Sequence, residues 1–153
     1  MVGPRAERHV SVSPIDGRPA ASLPLSTEAD VDSAFAMARK AQRGWAARSP
    51  RERARVLLRF HDLVLERQAQ GLDIAQTETG KARRDAFEEL LDCALTSRHY
   101  ARVGPGMLAP KKRLGVFLAL TDTVEHHHPK GVVGIISPWN YPIALAVGDA
   151  LPA

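Results

Sequence analysis

The spacing of apolar positions divides the chain into three regions. At the start, His9-Val10-Ser11-Val12 alternates, Pro14-Ile15-Asp16-Gly17 is a turn signal, and Ala20 to Leu25 is apolar with small residues. This predicts a two-stranded ribbon, which is marginal alone and has to lie on something larger. From Thr27 the period lengthens to that of helices. Thr27 can cap a helix with Asp30 at its third position, and Val31, Phe35, Ala38, Gln42 and Trp45 fall on or near one face, with Ala34 and Ala41 beside them. Ser49-Pro50-Arg51-Glu52 is a second start: Ser49 caps, Pro50 takes the first helical position and Glu52 closes a capping box. Val56, Leu57, Phe60, Leu63 and Val64 form the stripe of that helix, which is expected to reach about Gln70 and to break at Gly71. Leu72 to Thr79 reads as a short helix closed by Gly80 as its C-terminal cap. A further helix is expected from about Arg84 to Tyr100, with Phe87, Leu90, Leu91, Ala94 and Leu95 inward and Gly104-Pro105-Gly106 ending it.

In the third region the period changes again. Val116 to Val124 is β-like. Gly131 to Ser137 is short, apolar and non-alternating, which fits a central strand of a parallel sheet, buried on both faces. It runs into Pro138-Trp139-Asn140-Tyr141-Pro142, and Ile143 to Leu151 reads as a helix. A parallel strand needs a neighbour, reached through a crossover helix. The 153 residues end inside that helix, so the expectation is an α/β layer started and not continued. There are no internal repeats and no low-complexity segments.

Composition and charge narrow the partners. The chain is 44% hydrophobic and 25% charged, the balance of a folded domain. A net charge of +4 raises the question of nucleic acid. However, Arg48, Arg51, Arg53, Arg55 and Arg59 are interleaved with Glu52 and apolar residues, as on a solvated helix face. Lys111-Lys112-Arg113 is the one true cluster, so no nucleic-acid partner is expected. The single cysteine, Cys93, excludes an internal disulfide and fits a reducing cytoplasm. No apolar run approaches the ~20 residues that span a membrane, and Met1 to Val12 lacks the apolar core of a secretory signal.

Candidate chemistry gathers around one loop. Ligands of open α/β sheets lie beyond the carboxyl ends of the strands, which is where Ile136, Ser137, Pro138 and Trp139 fall. A rigid loop with a packed tryptophan is the plainer reading. Asn140 can donate from its side-chain amide to a developing oxyanion, or simply cap the helix that follows; residue type alone favours the cap. Cys93 reads as a small buried hydrophobe, with Asp92 disfavouring a thiolate. His126-His127-His128 has only Glu125 near it and reads as a polar strand segment, not a metal site. Gly131 and Gly134 lie within the strand, not at a helix N-terminus, and are no dinucleotide fingerprint.

The string from Pro129 to Pro142 resembles the signature at the first cofactor-domain strand of aldehyde dehydrogenases. Glu78-Thr79-Gly80-Lys81 resembles that family's turn between N-terminal helices, and Phe35 to Trp45 and Ser49 to Arg59 resemble the helices before it. The similarity runs from about Ile15 onward. Tyr100-Ala101-Arg102-Val103 and the run from Pro129 to Pro142 are most similar to the actinobacterial type of succinate-semialdehyde dehydrogenase.

The resemblance implies an α/β fold: an N-terminal helical part plus the first strand–loop–helix of a truncated Rossmann-like cofactor-binding domain. Residues 1–153 would be its incomplete N-terminal part, with about 114–129 a β segment of the oligomerisation region of a homo-oligomer. It implies oxidation of an aldehyde, with succinate semialdehyde the subfamily's candidate, to the carboxylic acid with NAD or NADP. In the family a cysteine thiolate attacks, hydride passes to the cofactor, and a glutamate helps water release the acid. By the same resemblance Asn140 is the catalytic oxyanion donor, and Ile136, Ser137, Pro138, Trp139 and Asn140 line the cofactor. The family's nucleophilic cysteine and base glutamate match no residue here, so the chain is expected to be inactive alone. The rival expectation is a non-catalytic interaction module, docking on a full-length relative or a separate C-terminal half through Val116 to Val124 as an exposed edge. A plain helical adaptor is disfavoured by the Pro-Trp-Asn string.

Overall fold

The structure, a computed structural model, describes residues 7–117 and 120–153. The opening ribbon pairs β1 (Arg8–Val12) with β2 (Pro19–Pro24) antiparallel, with Arg8 opposite Pro24 and a slip in register between Ser11 and Val12. Four helices follow: α1 (Glu28–Ala46), α2 (Pro50–Glu66), α3 (Gln68–Thr79) and α4 (Arg83–Met107). A small hairpin of β3 (Lys111–Arg113) and β4 (Thr123–Glu125) leads to the last helix, α5 (Pro142–Ala150).

Local chemistry sets the helix starts where the sequence marks them. Thr27 accepts from the Asp30 amide at 3.2 Å while the Asp30 carboxylate accepts from the Thr27 amide at 2.8 Å. Ser49 and Glu52 make the same reciprocal pair, at 3.3 and 2.8 Å. Each box satisfies two backbone donors, one of them otherwise orphaned in the first turn.

Two expected breaks are absent. Gly71 lies inside α3, its amide bonded to the Arg67 carbonyl at 3.0 Å, and the chain turns earlier, at Arg67. The glycine is there for a close approach: a Cβ on Gly71 would sit 2.6 Å from Cδ2 of Leu90 on α4. Pro105 does not end α4, which runs on to Met107. A proline costs a helix one hydrogen bond and a clash with the preceding turn. Two residues beyond it the helix is already finishing, with Leu108 donating to the Gly104 carbonyl at 3.0 Å.

The core lies where α3 and α4 meet: Leu72, Ala75, Ala86 and Leu90, with Val64 of α2 and Ile143 of α5 packed against them. The buried face of α4 is Ala86, Glu89, Leu90, Cys93, Ala94, Ser97 and Ala101. The expected inward residues Phe87, Leu91 and Leu95 stand exposed on the neighbouring stripe. That inner face is mostly small side chains, and Leu90 fits among them because Gly71 of α3 stands opposite it. The ribbon docks through its turn, with Pro14 packed at Gly80, where a Cβ would meet the Pro14 Cγ at 2.9 Å.

The β expectations are corrected in the third region. Gly131 to Ser137 forms no strand. A ladder needs a neighbour's N–H and C=O groups, and no strand among the described residues supplies them. Val116 to Val124 is not one strand either. The Phe117 carbonyl accepts from the amides of Leu120 and Thr121, both at 3.0 Å, and from the Thr121 hydroxyl at 2.8 Å, so these groups close a turn. Only Thr123 to Glu125 pairs; residues 118 and 119 of that reading lie outside the described residues. His126-His127-His128 follows β4 and is not in a strand, with His127 Nε2 3.5 Å from the Glu125 carboxylate. No group of three potential metal ligands converges among the described residues, and none of their helices is long and apolar enough to cross a membrane.

Candidate functional site

The loop from Ser137 to Tyr141 ends at a helix with an unusual start. Tyr141 occupies the cap position of α5 and makes no side-chain cap bond. Pro142, first in the helix, has no N–H to satisfy. The next two amides, of Ile143 and Ala144, donate to one oxygen of Glu89 on α4, at 3.0 and 3.2 Å. The cap is supplied from another helix, more than fifty residues earlier in the chain. The reading of Asn140 as the cap is thereby corrected: it precedes the cap position, and a carboxylate does the capping.

Glu89 is 1% exposed. Its second oxygen accepts from the ammonium of Lys81, whose own side chain is almost buried. Lys81 also donates to the backbone carbonyl of Asn140 at 2.9 Å and lies 4.3 Å from the centre of the Tyr141 ring. Lys81 is delivered by the turn before α4. Gly80 caps α3 in the left-handed conformation, φ +71°, and the Lys81 amide donates to the Thr79 hydroxyl at 3.4 Å. The Glu-Thr-Gly-Lys turn and the Pro-Trp-Asn-Tyr-Pro loop, separate in the sequence, are one assembly in space.

Sequence reasoning missed Glu89. One signal pointed to it: a carboxylate that falls on the same stripe of α4 as the small residues Ala86, Cys93 and Ser97.

On the outer side the loop is bare. Ile136 is fully exposed, at 101%, and Trp139 is 86% exposed; Pro138 and Asn140 are exposed and Ser137 is half-buried. No side-chain hydrogen bond is made by Asn140 to the described residues. The plainer reading of a packed tryptophan is thus overturned for Trp139. An open cleft of about 820 Å³ lies between Gly131 to Val133 with Ile135 and the α1 face of Ala38, Ala41 and Trp45. Cys93 sits one turn along α4 from Glu89, 1% exposed. Burial pushes its thiol up to about 11, with the charges of Asp92 and Glu89 adding to the effect. At neutral pH it is neither nucleophile nor ligand.

The hairpin between α4 and the loop carries a surface of another kind. Arg113 pairs with Glu125 at 2.8 Å, and Leu114, Val116, Phe117 and Leu120 near them are exposed.

The sequence profile of the aldehyde dehydrogenase family matches residues 2–153. A Mycolicibacterium smegmatis protein, provisionally named an NADP(+)-dependent succinate-semialdehyde dehydrogenase, is 52% identical over 137 residues, which are 90% of this chain and 26% of that protein. The crystal structure of an NAD-dependent benzaldehyde dehydrogenase from Corynebacterium glutamicum superposes with a TM-score of 0.87 at 28% identity, covering 98% of this chain and 32% of that one. That of succinate-semialdehyde dehydrogenase from Burkholderia pseudomallei gives 0.87 at 29% identity, covering 96% and 31%. The chain thus spans about a quarter to a third of the length of the proteins it matches. Over nearly its whole length, in sequence and in fold, the chain belongs to the aldehyde dehydrogenase family.

Proposed function

We propose that these residues form the N-terminal, cofactor-facing part of an NAD(P)-dependent dehydrogenase that oxidises an aldehyde, with succinate semialdehyde the candidate substrate, to its acid. The observation that carries the reading is the bare side-chain amide of Asn140 beside the bare apolar groups of Ile136 and Trp139. Thiolate attack on a carbonyl places negative charge on oxygen. A fixed amide donor at that oxygen lowers the barrier by ~3–4 kcal/mol, because it is pointed at charge that develops only in the transition state. None of the described residues takes up the Asn140 amide donors.

Ile136, Ser137, Pro138 and Trp139 fit a dinucleotide. Large apolar side chains left uncovered on a folded domain mark a contact surface, and flat rings pack well on an indole and an isoleucine. A nicotinamide dinucleotide held against Ile136, Ser137, Pro138 and Trp139 would supply the hydride acceptor for oxidation of the aldehyde. The thiol itself comes from elsewhere in the complete enzyme: Cys93, the chain's only cysteine, is buried and held neutral. The chain by itself is accordingly inactive. The exposed apolar residues of about 114–129 serve subunit contact in a homo-oligomer, and the lone thiol suits the cytoplasm.

The test is a fusion of this chain to the remaining part of the Mycolicibacterium smegmatis relative, assayed for aldehyde-dependent reduction of NAD and NADP. Asn140→Ala is expected to lower kcat by ~100-fold or more. Stability should hardly change, since Asn140 caps nothing. Trp139→Ala should weaken cofactor binding more than it slows turnover. A kcat within a few-fold of the unsubstituted fusion in Asn140→Ala would remove the catalytic assignment.

A further inference from the structure

We infer that Glu89 and Lys81 are positioning residues for Asn140, holding the backbone from Asn140 to Ala144 against α4. The inference rests on the reading above that the Asn140 amide meets the substrate oxygen.

Three observations support it. The acceptors and donors are matched: one Glu89 oxygen takes the Ile143 and Ala144 amides, the other takes Lys81, and Lys81 spends a further donor on the Asn140 carbonyl. The pair is out of water, Glu89 wholly and Lys81 nearly so. The side chain of Asn140, by contrast, makes no hydrogen bond to the described residues.

A buried ion pair is a poor source of net stability, because desolvation offsets most of its attraction; apolar residues of similar size do as well or better. What a fully bonded pair does provide is geometry. An oxyanion donor must be held to within about half an ångström of its working position. Asn140 sits in a loop with exposed residues on both sides, so its backbone needs an anchor. The anchors are the Lys81 ammonium on its own carbonyl and the Glu89 carboxylate on the helix that begins two residues later.

The experiment uses the isotopically labelled chain and two readouts: amide hydrogen exchange at Ile143 and Ala144, and the backbone order parameter at Asn140. Glu89→Gln keeps the shape and one acceptor. It is expected to speed exchange at Ile143 and Ala144 by ~10-fold or more while Cys93 and Ala94, in the middle of α4, stay unchanged. The double variant Lys81→Met with Glu89→Leu removes both charges together, so no buried charge is left alone, and it withdraws the partners of the Asn140 carbonyl and of the Ile143 and Ala144 amides. It should stay folded, yet drop the Asn140 order parameter from the rigid range near ~0.85 to below ~0.6.

Unchanged order at Asn140 in the double variant, or loosening of α4 to the same extent as the loop, would overturn the inference. The two readings fail separately. An Asn140 already mobile in the parent chain sinks the anchor and leaves the amide's role standing. A rigid Asn140 whose replacement leaves kcat unaltered sinks the amide's role and leaves the anchor.

Discussion

Replacing Gly80 by alanine tests how the ribbon and the Lys81 turn are joined. Gly80 has φ +71°, and an L-residue in that region costs about 1–2 kcal/mol. Part of this is returned, because alanine narrows the unfolded chain by about 0.4–1 kcal/mol. Conformation alone therefore leaves a loss of about 0–1.6 kcal/mol. The new methyl group would also stand 2.9 Å from Cγ of Pro14, inside ordinary contact. That ring has no rotamer to turn into, so relief has to come from the ribbon's backbone, and overpacking of this kind costs about 1–3 kcal/mol. The expected total is about 2–3 kcal/mol, read as a lowered midpoint in urea titrations followed by far-ultraviolet circular dichroism. Pro14→Ala separates the two parts. In that background Gly80→Ala should cost only the conformational share, giving a coupling of about 1–2 kcal/mol. A loss below about 0.5 kcal/mol in the single variant, or equal losses in both backgrounds, would refute the reasoning.

Further outcomes follow from two side chains whose titration is shifted. With its thiol raised to about 11, Cys93 carries about one thiolate in a thousand at pH 8, so it should resist iodoacetamide in the folded chain and react promptly in denaturant. Stability tied to the neutral thiol is complete below the unfolded value near 9 and is lost as pH rises toward 11; alkaline denaturation should therefore shift upward in Cys93→Ala, and an unshifted curve would count against it. The Ser49 hydroxyl and amide hold the Glu52 carboxyl below its ordinary range, so this cap stabilises fully above about pH 4.5 and fades as pH falls through the lower folded value. Ser49→Ala should cost ~1 kcal/mol at neutral pH and flatten that acid limb, by the same urea titrations repeated across pH.

Much of the helical part was legible because its signals are local. A capping box lies within four residues, so Thr27 with Asp30 and Ser49 with Glu52 could be read one helix at a time. Gly80 was legible for the same reason. Gly71 and Pro105 were misread because their local propensities are overridden by packing and by position: Gly71 makes room for Leu90, and Pro105 falls where few helical bonds remain to lose. The inward face of α4 was misread because two adjacent stripes both repeat at helical spacing, and only the neighbours decide between them. Within the candidate site, the exposed loop was legible from the order Pro-Trp-Asn-Tyr-Pro. Its support was not. Glu89 becomes special only when the uncapped amides of Ile143 and Ala144 are brought to it, and no pattern within a single segment contains that fact.

The cap that Glu89 provides also bears on the order in which the chain folds. Helix α5 has nine residues, well short of the ~12–15 at which an isolated helix becomes even marginal in water. It has no capping side chain of its own to help the first turn form. Its nucleation therefore waits on closure of a loop of some fifty residues that brings Glu89 to the Ile143 amide, a separation of 54 in sequence. Helices α1 and α2 carry their start signals within themselves and can flicker into existence as soon as they are synthesised. Helix α5, and with it the loop that presents Asn140, takes shape only after α4 has been assembled and its carboxylate stands ready.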